Sequence, residues 1–110
     1  MRTEMKEAYE LIGQFKRGLI ANGAPVTEPQ QRLIRLLSED LGVDAKDVSV
    51  EDLIKRVARA DTHWNRRTQE VVDRFYTHQR AGHMDKAERE RSAFLTECPS
   101  VWYCGIVSDL

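Results

Sequence analysis

The sequence predicts an all-α protein, a compact bundle of four to six helices forming a single domain over residues 1–110. Three observations predict it. Apolar residues recur at i, i+3, i+4 and i+7 through most of the chain. No sustained apolar–polar alternation is bounded by hairpin turns. Capping residues, glycines and prolines cut the chain into helix-length pieces.

The first helix carries Met5, Ala8, Tyr9, Ile12, Phe15 and Leu19 on one stripe. Thr3 is its expected N-cap, and Asn22-Gly23 before Pro25 its expected stop. Gly13 and Gly18 then fall inside the helix, each costing about 1 kcal/mol relative to alanine. The second helix opens at Thr27, with Gln30 completing a capping box and Pro29 in the first turn. Leu33, Ile34, Leu37 and Leu41 form its inner face, and Gly42 ends it.

Ser49 caps the third helix, Asp52 completes a box, and Val48 with Leu53 forms a hydrophobic staple. Its stripe, Val50, Ile54, Val57, Trp64, Val71 and Phe75, is interrupted by Asp61 and Thr68. Unbroken to Ala81 it would reach on the order of 45 Å. A kink or break is therefore expected near "ARADTHW", where Asp61 or Thr62 can cap a new start. "AGHMD" is the next turn, and Asp85 with Glu88 forms a further expected box before Ala87, Phe94 and Leu95. Pro99 stops that helix, and Ser100 caps a last one bearing Trp102, Tyr103, Ile106, Val107 and Leu110. Gly82, Ala87 and Pro99 have the spacing of the small and proline positions of a tetratricopeptide helix pair. Arg91, Phe94 and His78 break that pattern, and the segment reads as a plain helical hairpin of no assigned family.

The composition bounds what the chain does. Mean hydropathy is −0.56, with 32% charged residues and no apolar run of membrane-spanning length. Glu4, Glu7 and Glu10 stand where a signal peptide would carry its apolar region, so the expected location is cytoplasmic. Cys98 and Cys104 are then expected as free thiols. Placed on one helix, residues six apart point about 240° from each other and bridge poorly. Residues 1–54 hold 7 basic and 10 acidic groups, and residues 55–91 hold 10 basic and 6 acidic. The charge asymmetry is modest.

Nothing in the sequence points to catalysis, and the protein is expected not to be an enzyme. Its histidines, His63, His78 and His83, lack ligand spacing, so no metal is expected. Cys98 is followed by proline and sits in no nucleophile signature. The glycines are scattered singly and cradle no phosphate, and no cofactor is expected.

Two features are unusual. The first is the carboxylate cluster Glu39, Asp40, Asp44, Asp47, Glu51 and Asp52, which faces one nearby lysine. Helix capping explains much of it, and the remainder is a negative patch suited to a basic partner surface. The second is the aromatic pair Trp102 and Tyr103 in an uncharged terminal segment, either core or partner anchor. A basic set, Arg59, Arg66, Arg67 and Arg74, offers a nucleic-acid face. The interleaved Asp61, Glu70 and Asp73 and a pI near 6.3 argue against that use.

The expectation is a small binding protein that recognises another protein and restrains it. By size, charge and chemical blandness it compares with bacterial immunity proteins and antitoxin-like inhibitors, whose partner is a toxin or enzyme with a basic surface. The alternatives are a helical nucleic-acid-binding or transcription-regulating module, and a homodimeric adaptor or secretion chaperone.

Overall fold

The computed structural model of the chain describes residues 2–20 and 24–110. The described residues form five helices and no strand: α1 (Arg2–Lys16), α2 (Glu28–Leu41), α3 (Val50–Arg80), α4 (Met84–Glu97) and α5 (Val101–Ser108). The all-α expectation holds.

Local chemistry sets most of the boundaries. Thr27 makes the full capping box: its hydroxyl accepts from the Gln30 amide at 3.3 Å, and the Gln30 side chain accepts from the Thr27 amide at 3.0 Å. Ser49 Oγ accepts from the Asp52 amide at 3.2 Å, the serine half of the expected box. Ser100 Oγ accepts from the Tyr103 amide at 3.1 Å and starts α5.

Three expectations at helix ends are corrected. Thr3 lies inside α1, because the helix already begins at Arg2. The Asp85–Glu88 box is not the start of α4. The N-cap is His83, which makes no side-chain cap bond, and Asp85 sits in the first turn, where its charge meets the helix dipole. Gly18 is not interior to α1; it ends the helix. Its φ is +74°, the left-handed region where an L side chain is strained. Its amide donates to Phe15 O at 3.2 Å and that of Leu19 to Gln14 O at 2.9 Å, the paired bonds of a Schellman close. Leu19, expected on the inner stripe, is consequently 69% exposed. Asn22-Gly23, the stop expected from sequence, lies outside the described residues. Gly82 closes α3 in the same way at φ +80°, with the His83 amide reaching His78 O at 2.8 Å.

The chain divides into two compact units, Met1–Asp61 and Thr62–Leu110, with the division falling inside α3. The first unit holds α1, α2 and the start of α3. Its buried apolar side chains are Ala8, Leu11, Ile12, Ile34, Leu37, Leu41, Leu53 and Val57. The second holds the rest of α3, α4 and α5, and buries Val71, Phe75, Ala87, Phe94, Cys98, Tyr103 and Val107. Full burial of a Leu, Ile or Phe side chain contributes roughly 1.5–3 kcal/mol.

The break expected near residues 58–64 is absent: α3 is helical throughout Val50–Arg80. Asp61 and Thr68, which interrupt the apolar stripe in the sequence, are themselves buried, at 6% and 4% exposure. Asp61 does not cap a new helix. Its Oδ2 lies 2.9 Å from Lys16 Nζ, and an acid satisfied from α1 gives α3 no reason to stop. Trp64, expected in the core, is half-buried and meets Phe94 edge to face at 6.0 Å.

Candidate partner-binding surfaces

In the first unit, α2 ends in an acidic turn and α3 begins in another. Glu39 is exposed in the last turn of α2. Asp40, its neighbour, points the other way: it is 8% exposed and accepts the Tyr9 hydroxyl at 2.6 Å. Gly42, at φ +70°, turns the chain out of the helix. Asp44 Oδ1 then accepts from the Lys46 amide at 3.0 Å, a local Asx-type turn that fixes the connecting loop. Asp47 holds a left-handed φ of 57°, which aspartate tolerates better than most residues. Glu51 and Asp52 occupy the first turn of α3.

Of the six carboxylates expected to form a docking patch, five are exposed: Glu39, Asp44, Asp47, Glu51 and Asp52. Among the described residues none of these five is in an ion pair. Asp40 is core and presents nothing to a partner. The dipole of α3 explains the acids at its N-terminus. It does not explain Glu39, which lies at the negative end of α2 in a last turn without a basic residue.

In the second unit, α5 carries no charged side chain. Tyr103 and Val107, four apart, form its inner face and are 5% and 0% exposed. Tyr103 therefore drops out as a surface anchor. Trp102 is half-buried. The outward apolar side chains are Val101, 76% exposed, and Ile106, 44% exposed, with Gly105 between them open to solvent. Val101 carries no signal in the sequence, because a helix apolar on all sides gives no polar face to mark the outside.

Of the basic set, Arg59 is exposed in the first unit, and Arg66 and Arg74 are exposed in the second. Arg67 is engaged by Glu70 at 3.0 Å and by Glu97 at 3.5 Å. Exposed Asp73 lies beside Arg74 in the chain.

The chemistry-bearing side chains are otherwise scattered. His78 Nε2 faces Glu90 Oε1 at 3.3 Å, while His63 and His83 are exposed. Among the described residues no three His, Cys, Asp or Glu side chains are grouped to hold a metal ion. No helix of the described residues is long and apolar enough to cross a membrane. Compared with known proteins, the chain matches no family model, no curated protein and no solved structure.

Proposed function

We propose that this chain binds another protein through the acidic edge between α2 and α3 and restrains that partner, in the manner of an immunity protein or an antitoxin. The observation that supports the reading is the set of five exposed carboxylates that form no ion pair among the described residues, with Glu39 held against the dipole of its own helix. A charge kept where it lowers helix stability has its use outside the helix. The matching partner surface is basic, and complementary charge of this kind mainly speeds encounter and sets orientation.

The nucleic-acid alternative is less well supported, since Arg67 is consumed by two acids of its own unit. No observation favours the homodimeric adaptor over a protein-binding monomer.

The test is a comparison of the wild-type chain with the triple mutant Asp44→Asn, Asp47→Asn, Glu51→Gln as baits in native lysate. The retained protein is then identified, and its association rate measured against both baits over a range of salt. The expected result is a partner whose activity falls on binding, captured by the wild type. Its association with the triple mutant should be at least ten-fold slower and less salt-dependent. Equal rates and equal salt dependence for the two baits would overturn the reading. A wild-type bait that captures no protein specifically would overturn it too.

A further inference from the structure

The geometry points to Cys98 and Cys104 as a redox pair that closes a disulfide across Pro99 and ties α5 to the end of α4. Spaced along one helix the two thiols would diverge, but they do not share a helix. Cys98 follows α4 with extended backbone, φ −77° and ψ 126°, and Ser100 is extended as well, at φ −84° and ψ 120°. The chain bends through Pro99 before α5 begins at Val101. That bend brings Cys104 back over Cys98: the Cys104 thiol donates to the Cys98 carbonyl oxygen at 3.5 Å. A carbonyl oxygen lies roughly 2.4 Å from its own Cα by standard backbone dimensions, so the Cys104 sulfur is at most about 5.9 Å from the Cys98 Cα, and a shift of about an ångström or two in the link is what a disulfide requires.

Both cysteines are in the reduced, thiol form. Residues 98 to 100 lie outside both helices, so the Cα separation can adjust to disulfide geometry within this short link, against the bonds that anchor its ends: the Cys98 amide to Phe94 O, the Cys104 amide to Ser100 O and the Tyr103 amide to Ser100 Oγ. Access orders the reaction. Cys104 is half-buried, whereas Cys98 is 7% exposed. With a small-molecule disulfide as oxidant, the Cys104 thiolate attacks one sulfur and expels the first reduced thiolate, leaving a mixed disulfide on Cys104. The Cys98 thiol then loses its proton to solvent, attacks the Cys104 sulfur and expels the second. Two protein thiols are oxidised and one small disulfide is reduced to two thiols. The product is a short covalent loop at the root of α5, the helix bearing exposed Val101 and Ile106.

The experiment treats the reduced full-length chain with oxidised glutathione and follows intact mass, thiol count and limited proteolysis of α5. The wild type should lose about 2 Da and both titratable thiols, and dithiothreitol should reverse both changes. Cleavage within α5 should slow at least three-fold after oxidation. Cys98→Ser should stop at a glutathione adduct of about 305 Da, and Cys104→Ser should react at least ten-fold more slowly. Cys98→Ala serves in place of Cys98→Ser if circular dichroism shows that the serine substitution has cost helix. A wild-type chain that keeps both thiols, stops at the adduct, or joins to a second copy would overturn the pairing.

Discussion

The Tyr9 hydroxyl donates to Asp40 Oδ2 at 2.6 Å, joining the middle of α1 to the last turn of α2 across 31 residues. The bond has two consequences. It supplies a donor to an acid that α2 would otherwise bury, and it divides Asp40 from Glu39, its exposed neighbour in the chain. Tyr9→Phe removes the donor and little volume, leaving a buried acceptor with one partner fewer. The substitution should cost about 1–3 kcal/mol, the range for leaving a buried polar group short of a partner. Urea unfolding with an unchanged m-value is the measurement, and a loss under about 0.3 kcal/mol would show that the Tyr9 bond contributes little to Asp40.

Lys16 and Asp61 make the corresponding tie from α1 to α3, with side chains 27% and 9% exposed. Lys16→Met keeps the apolar stem and removes the charge that faces a largely buried carboxylate. The partial exposure of Lys16 tempers the effect, and the expected loss is about 1 kcal/mol. Asp61→Leu in the Lys16→Met background should regain part of that loss, because a buried ion pair is often replaceable by apolar residues. A double-mutant cycle with no coupling between the two positions would contradict the pairing.

Thr68 presents the opposite case. Its Oγ1 is buried in α3 with no hydrogen-bond partner among the described residues. Thr68→Val replaces the hydroxyl with a methyl of similar size and ends that desolvation penalty. Stability should rise by about 1 kcal/mol, since an unmade buried hydrogen bond costs about 1–3 kcal/mol. Thermal melting that shows a lower midpoint would mean that the hydroxyl is satisfied by water in solution.

These three sites mark where the sequence stops being legible. The Thr27 box and the Ser100 cap are written within four residues of chain, and both are readable. Asp61 is not, because its partner Lys16 lies 45 residues away and nothing local distinguishes a satisfied core acid from a helix break. The same limit moves the end of α1: Asn22-Gly23 carries the stronger local turn signal, yet Gly18 terminates the helix. In the candidate surfaces, exposure of Glu39 beside buried Asp40 cannot be read without Tyr9. On α5 the inner and outer faces are equally apolar, so only packing decides that Tyr103 turns in while Val101 and Ile106 turn out.

The acidic edge yields a prediction that needs no partner. If its carboxylates serve only their helices, neutralising any of them should destabilise the fold. The dipoles say otherwise. Glu51 and Asp52 stand at the positive end of α3, so Glu51→Gln with Asp52→Asn should lower stability by roughly 0.3–1 kcal/mol per charge. Glu39 stands at the negative end of α2, so Glu39→Gln should leave stability unchanged or raise it by a few tenths of a kcal/mol, and Glu39→Lys should raise it by roughly 0.3–1 kcal/mol. Added salt should shrink both effects, because these charges are exposed. Thermal melts of the three mutants at low and high salt decide the matter. Opposite signs for the α3 and α2 substitutions separate the acids that cap from the one that does not, and leave Glu39 as the residue whose charge is kept for an outside surface. A Glu39→Lys chain that melts below the wild type would return Glu39 to an internal structural role and reduce the docking edge to the loop and the start of α3.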